Sequence, residues 1–188
     1  IKYMKKRFVF SETSLSGLFL AKRKPVADDR GQFTRLYCLD EFKEIDFDIS
    51  LSQINYSTTV EKGSVRGFHF QYPPYTESKI ITCISGKVMD VSIDIRKDSS
   101  TFLKYHSEVL SDNNNSSICI PDGFAHGFQV LSDKCQLLYL HSTKYNSGAR
   151  GVINILDPMV SVDWPLGIAK ISDLDMNQPM LDINFKGI

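Results

Sequence analysis

None of the four cysteines, Cys38, Cys83, Cys119 and Cys135, stands in a CxxC pair, and their scatter through the chain gives no disulfide framework. Reduced thiols are therefore expected, which points to a cytoplasmic setting. No stretch reaches the roughly 18 apolar residues that a spanning helix needs. The basic start from Lys2 to Arg7 leads into neither a long apolar run nor a small-residue cleavage site, so no secretory leader is expected and Met4 stands as a candidate start residue. Charge of one sign is missing too: 22 Lys and Arg balance 22 Asp and Glu. A neutral chain has no global field to draw nucleic acid or an anionic membrane, and neither is expected as a partner. There is no internal repeat, no low-complexity block and little helical signal.

What is present is ordinary globular composition, 42% hydrophobic and 23% charged. Across 188 residues it predicts one compact domain, 1–188. Short β-rich runs dominate. Lys79 to Ser85 reads as a strand closed by Gly86. Lys87 to Ile95 alternates with period two, as a half-buried strand does. Tyr105 to Leu110 and Ser117 to Ile120 are further strands, the second ending at the turn Pro121-Asp122-Gly123. Gly127 to Leu131 and Gln136 to His141 read as a hairpin around Ser132-Asp133-Lys134. Short helices are expected at 39–44 and after Ser172, a candidate N-cap with Asp175 three residues on. Many short strands with frequent turns predict an all-β fold. Pro121-Asp122-Gly123-Phe124-Ala125-His126 fits the PxGxxH pattern of the second cupin motif, which makes a double-stranded jelly roll the specific expectation.

Four side chains could carry chemistry. In an uninterrupted strand from Val65 to Gln71, Arg66, Phe68 and Phe70 share one face and His69 and Gln71 the other. Flanked by two Phe, His69 stays neutral near pH 7, as a general base must. The competing reading is a core histidine satisfied by a backbone carbonyl, and local sequence favours it. Tyr139 faces away from Leu138 and Leu140; it is either a proton donor or a barrel-lining ring that only packs. Lys79 opens a strand, where most lysines are solvated. Asp175 lies in a polar segment, where most aspartates are on the surface.

These pieces join in a resemblance. Asp29-Arg30-Gly31-Gln32-Phe33, Arg66 to Gln71, Lys79, Gly86-Lys87-Val88, Asp94-Ile95-Arg96 and Ser99 to Phe102 resemble the dTDP-4-dehydrorhamnose 3,5-epimerase family. So do Ile120 to Phe128, Tyr139, Asp163-Trp164-Pro165 and Leu174-Asp175 ahead of Gln178-Pro179. The RGxHFQ and IPxGFAHGF segments together carry the specificity of the match. The resemblance implies a cupin jelly roll, a homodimer, no catalytic metal and no cofactor. It also implies a nucleotide-sugar substrate with a keto group at C4 of a 6-deoxyhexose, in deoxysugar and polysaccharide biosynthesis. It makes His69 the base, Asp175 its dyad partner, Tyr139 the acid and Lys79 the stabiliser of an enolate. Arg30, Gln53, Asn55, Arg66 and His126 become contacts to sugar or diphosphate, and Tyr145 lies near sugar or base. Arg35 and Arg150 occupy substrate-contacting places that are usually acidic. Val26, Lys144 and Leu174 also depart from the pattern. These changes bear on nucleotide and sugar configuration more than on reaction type.

Two other functions compete. His69, Gln71, Glu77 and His126 fall near cupin metal-ligand places, although His-x-Gln is one imidazole short of His-x-His. The aromatics Phe68, Phe70, Tyr72, Tyr75 and Tyr145 would suit a non-catalytic sugar-binding cupin, but binding alone needs no acid–base pair.

Overall fold

The computed structural model describes residues 6–47 and 49–188; the candidate start at Met4 lies outside them. Two antiparallel sheets face each other. The six-stranded sheet holds β1 (Phe8–Glu12), β2 (Phe19–Arg23), β10 (Ser116–Ile120), β7 (Lys79–Ser85), β12 (Cys135–His141) and β5 (Gln53–Thr59), in that spatial order. The five-stranded sheet runs β13 (Arg150–Val152), β6 (Val65–Gln71), β11 (Phe124–Val130), β8 (Lys87–Asp94) and β9 (Tyr105–Ser111). A small hairpin of β3 (Val26–Asp28) and β4 (Gly31–Phe33) stands apart. The helices are short, α1 (Leu39–Phe42) and α2 (Asp173–Met176). This is the expected jelly roll, and no helix among the described residues is long and apolar enough to cross a membrane.

One expected pairing is absent. β11 and β12 follow each other in sequence but belong to different sheets, so the segment at Ser132-Asp133-Lys134 crosses the sandwich instead of closing a hairpin. β7 and β8 do the same at Gly86. β7, β8, β10 and β11 bury both faces, one between the sheets and one under outlying chain, which is why these runs are so apolar. Between the sheets lie Ile81, Cys83, Val88, Ile118, Phe128, Val130, Cys135 and Leu137. Outside the five-stranded sheet, Phe68, Phe70, Val91 and Ile93 are covered by C-terminal chain that includes Trp164, Ile168 and Phe185. Outside the six-stranded sheet, Ile80, Cys119 and Leu140 pack under Phe42 of α1, whose ring meets Phe8 and Phe10 edge-on, each at 5.0 Å between centroids.

The interior face also changes character along each strand. On β12 it runs Cys135, Leu137, Tyr139, His141; on β7 it runs Cys83, Ile81, Lys79. One end of the sandwich is a closed apolar core and the other is polar and open.

The expected alternation along β6 fails at Gly67. Arg66 is opposite Phe128 and His69 opposite His126, so the register slips between them. The extra residue puts Arg66 on the same face as His69 rather than with Phe68. Gly67 has φ +126°, and a Cβ there would fall 2.5 Å from the Gly127 Cα. A Cβ on Gly127 would in turn lie 2.7 Å from both the Arg66 carbonyl oxygen and the Phe68 ring.

Two of the family-like motifs prove structural. At the end of β8 the carboxylate of Asp94, fully buried, accepts from Arg96 N (3.0 Å), Arg96 Nε (2.9 Å), Arg96 Nη2 (2.7 Å), Ser99 Oγ (2.6 Å) and Thr101 Oγ1 (2.6 Å). Burial pushes this carboxyl up, but the donors outweigh it and hold it at about 2.

Gly67→Ala is expected to lower unfolding free energy by more than about 2 kcal/mol, because both the backbone angle and the space forbid a side chain; urea denaturation would measure it. Asp94, depressed in the folded state, contributes stability above the unfolded carboxyl range near 4, and that contribution disappears as pH falls towards 2. The gap between wild type and Asp94→Asn should therefore shrink by about 2 kcal/mol between pH 5 and pH 2.

Candidate active site

The polar end of the sandwich encloses a cavity of about 680 Å³ lined by both sheets. β6, β11 and β13 supply one wall, with His69, His126 and Arg150; β5, β7 and β12 supply the other, with Asn55, Lys79 and Tyr139.

His69 does not take the backbone carbonyl that local sequence favoured. Its Nε2 lies 2.8 Å from Asp175 Oδ1. Asp175 is buried rather than on the surface, held in the first turn of α2, where its backbone N–H donates to Ser172 Oγ at 3.1 Å. Burial raises the Asp175 carboxyl, and the His69 hydrogen bond and charge outweigh it, so the group is held below its ordinary range as a carboxylate. Nε2 is then the donor to Asp175, which leaves Nδ1 as the ring nitrogen open to a ligand. Arg150 Nη2 approaches the same Asp175 oxygen at 3.3 Å.

Tyr139 is half-buried on the opposite wall. Its hydroxyl lies 3.1 Å from Ser57 Oγ, its ring stacks on His141 at 6.1 Å, and it meets His126 edge-on at 6.4 Å. Burial drives this phenol well above its ordinary range against the opposing Ser57 bond, so it rests protonated. Lys79 is buried, not solvated. Its ammonium pairs with Glu77 Oε1 at 2.9 Å and donates to the His69 carbonyl oxygen at 3.3 Å. His126, beside His69 in register, bonds Asp90 Oδ2 at 2.7 Å.

The cavity thus gathers His69, Lys79, Tyr139, Gln53, Asn55, His126, Tyr145 and Arg150, with Asp175 directly behind His69. It does not gather the remaining arginines. Arg66 donates to Thr59 Oγ1 at 3.1 Å and borders a separate crevice beside Asp175. Arg30 is exposed on the β3–β4 hairpin against Asp28. Arg35 holds Glu41 Oε1 at 2.9 Å near α1. Sequence reasoning missed His141, Ser57 and Asp90. His141 could have been found, since it lies two residues beyond Tyr139 and so on the same face.

The donors of the metal reading line one cavity, but each is engaged by another group of the protein: His69 by Asp175, Glu77 by Lys79 and His126 by Asp90. Gln71 ties two loops together through its amide: Nε2 donates to Tyr75 O (3.0 Å), between β6 and β7, and to Lys144 O (3.4 Å) on the loop that carries Tyr145, where Oε1 also accepts from Asn146 N (2.6 Å). Among the described residues no three His, Cys, Asp or Glu side chains are grouped to hold a metal ion.

Comparison with known proteins gives a consistent neighbourhood. Residues 12–182 match the profile of dTDP-4-dehydrorhamnose 3,5-epimerase. The enzyme of that name from Shigella flexneri is 34% identical over 176 residues, covering 93% of this chain and 97% of that one. A dTDP-4-dehydrorhamnose 3-epimerase from Streptomyces niveus is 36% identical over 156 residues, 82% of this chain and 75% of that one. Among solved structures, the 3,5-epimerase from Bacillus anthracis, with TDP and PPi bound, superposes with a TM-score of 0.89 at 32% identity, covering 93% of this chain and 99% of that one.

Gln71→Ala is expected to cost about 1–3 kcal/mol, the usual penalty for stranding buried backbone partners. It should also speed hydrogen exchange at the Asn146 amide; an unchanged exchange rate there would separate Gln71 from the Tyr145 loop.

Proposed function

The chain belongs to the dTDP-4-dehydrorhamnose 3,5-epimerase family, and from that premise we propose how its cavity divides the reaction. The protein is an epimerase of a nucleotide-linked 4-keto-6-deoxyhexose in deoxysugar biosynthesis, inverting C3, C5 or both. A keto group at C4 acidifies the C–H bonds on either side, because the electron pair left at carbon delocalises onto oxygen. Inversion then requires a base on one face of the ring and a donor on the other.

In this reading His69 Nδ1 removes the proton. Asp175 holds the tautomer and stabilises the imidazolium that forms, as the third member of a catalytic triad does. The Lys79 ammonium takes up the charge developing on the C4 oxygen, a preorganised interaction often worth several kcal/mol. Tyr139 returns a proton to the opposite face. The observation that carries the assignment is the placement of His69 and Tyr139 on facing walls of one cavity, the first with Nε2 held by Asp175 and Nδ1 left open to the cavity, the second kept protonated by burial. No atom changes oxidation state, so the chemistry calls for no redox group. Gln53, Asn55, His126, Tyr145 and Arg150 contact sugar and nucleotide.

The same reading pairs two chains. β5 is an edge strand whose outward Ile54 and Tyr56 are exposed, and the β3–β4 hairpin carries Phe33 at 74% exposure. A second copy laying its hairpin along that edge would bring Arg30 to the cavity, which accounts for a ligand-binding arginine outside this chain's own walls. A cytoplasmic setting fits four thiols with no disulfide among them.

In D₂O, with a panel of 4-keto-6-deoxy sugar nucleotides, NMR should show deuterium entering at C3, C5 or both. His69→Ala should lower that exchange by about 10²–10⁴-fold. Tyr139→Phe keeps the ring and its packing, so exchange on the His69 face should continue while inversion falls; parallel loss of exchange and inversion would remove the donor role. Light scattering should give twice the 21.3 kDa of the chain, and a monomer would refute the pairing.

A further inference from the structure

The polar wall of the cavity contains a hydrogen-bonded chain whose direction is fixed at one end. The Tyr145 backbone N–H can only donate, and it donates to Gln53 Oε1 at 3.0 Å. The Gln53 amide is thereby oriented, with Nε2 donating to Asn55 Oδ1 at 3.0 Å. Asn55 is oriented in turn, and its Nδ2 faces His141 Nε2 at 3.3 Å. That nitrogen must accept, so the His141 proton sits on Nδ1, which donates to Glu77 Oε2 at 2.8 Å. The other oxygen of Glu77 holds the Lys79 ammonium at 2.9 Å.

The sheet builds this row. Gln53, His141 and Lys79 are direct cross-strand partners on β5, β12 and β7. The Lys79, Glu77 and His141 side chains are only 6%, 10% and 11% exposed. A cation this deep without a counter-charge is strongly disfavoured, and a carboxylate shared with a neutral imidazole cannot swing away from it. An ammonium has three N–H bonds; Glu77 takes one and the His69 carbonyl oxygen another, which leaves one for a ligand.

We infer that Glu77 and His141 are positioning residues for Lys79, which make its ammonium a single directed donor and tie it to the loop at Tyr145. The functional half of this inference rests on the proposed enolate role of Lys79; the hydrogen-bond half does not.

The experiment therefore has two arms. In the first, ¹⁵N chemical shifts of His141 and ¹H–¹⁵N detection of the Lys79 ammonium are recorded on the ligand-free protein. The Nδ1–H tautomer and an ammonium signal that is lost or shifted in Glu77→Gln are expected. An Nε2–H tautomer, or a Lys79 signal indifferent to Glu77→Gln, overturns the inference. In the second arm, deuterium exchange into substrate is followed. Glu77→Gln should lower kcat roughly 10–100-fold, the usual effect of removing a group that orients a reacting one, with KM changed less than about threefold. Glu77→Asp should recover part of the loss.

In a Lys79→Ala background Glu77→Gln should cost no more than about twofold, since it acts only through Lys79. The full loss persisting there overturns the inference. Should Glu77→Gln fail to fold, the Glu77→Gln/Lys79→Met double variant removes both charges at once: recovered folding supports the pairing and continued misfolding overturns it. If wild type exchanges no deuterium with any substrate, the reaction assignment fails, and the ligand-free arm still decides the pair.

Discussion

Two glycines touching across adjacent strands set the arrangement on which the site depends. Gly67 and Gly127 lie so close that neither has room for a Cβ. Their contact carries the extra residue of β6 through the sheet and returns the strand one step out of phase. Everything after the slip, His69 and Gln71, then faces the interior beside His126. Phe68 and Phe70 turn outward beneath Trp164 and the C-terminal chain. Without the slip, no single strand could put Arg66 and His69 on the same face. Gly67 and Gly127 are thus structural requirements for placing His69 in the cavity.

Much of the β architecture was legible because buried strands announce themselves. Lys79 to Ser85 and Tyr105 to Leu110 became β7 and β9 almost to the residue, and Ser172 caps α2 as expected. The failures have a common cause, since pairing and register are decided by partners distant in sequence. Gly127 to Leu131 and Gln136 to His141 have the local look of a hairpin, yet each pairs with strands of a different sheet. The alternation drawn for Arg66 to Gln71 could not anticipate a bulge that exists only against β11. At the site, residue types were readable and environments were not. Lys79 and Asp175 looked solvated because polar residues lie close to them in sequence; β10 and β12 flank Lys79, and His69 and Arg150 meet Asp175, only in the folded chain. Arg30 and Arg35 came from family likeness alone, and both stand apart from this chain's cavity.

The cavity wall is a fitted set of pairs rather than a collection of separate functional groups. His69 is tied to Asp175, His126 to Asp90, Tyr139 to Ser57 and His141 to Glu77. Each imidazole is oriented by a carboxylate through one nitrogen, and for His69 this leaves the other free for proton transfer. The apolar end of the sandwich supports this arrangement by excluding water from below, which strengthens each pair and raises the cost of breaking one.

Both cations of the wall are already matched by anions of the same chain, Lys79 by Glu77 and Arg150 by Asp175. Together with a chain of zero net charge, this leaves almost no field beyond a few ångströms from the mouth. A diphosphate-bearing molecule is then met by random collision and sorted by short-range fit, not drawn in from solution. Capture by one chain should be nearly indifferent to ionic strength, so the enzyme keeps its encounter rate as salt rises and gives up the acceleration that a charged funnel would bring.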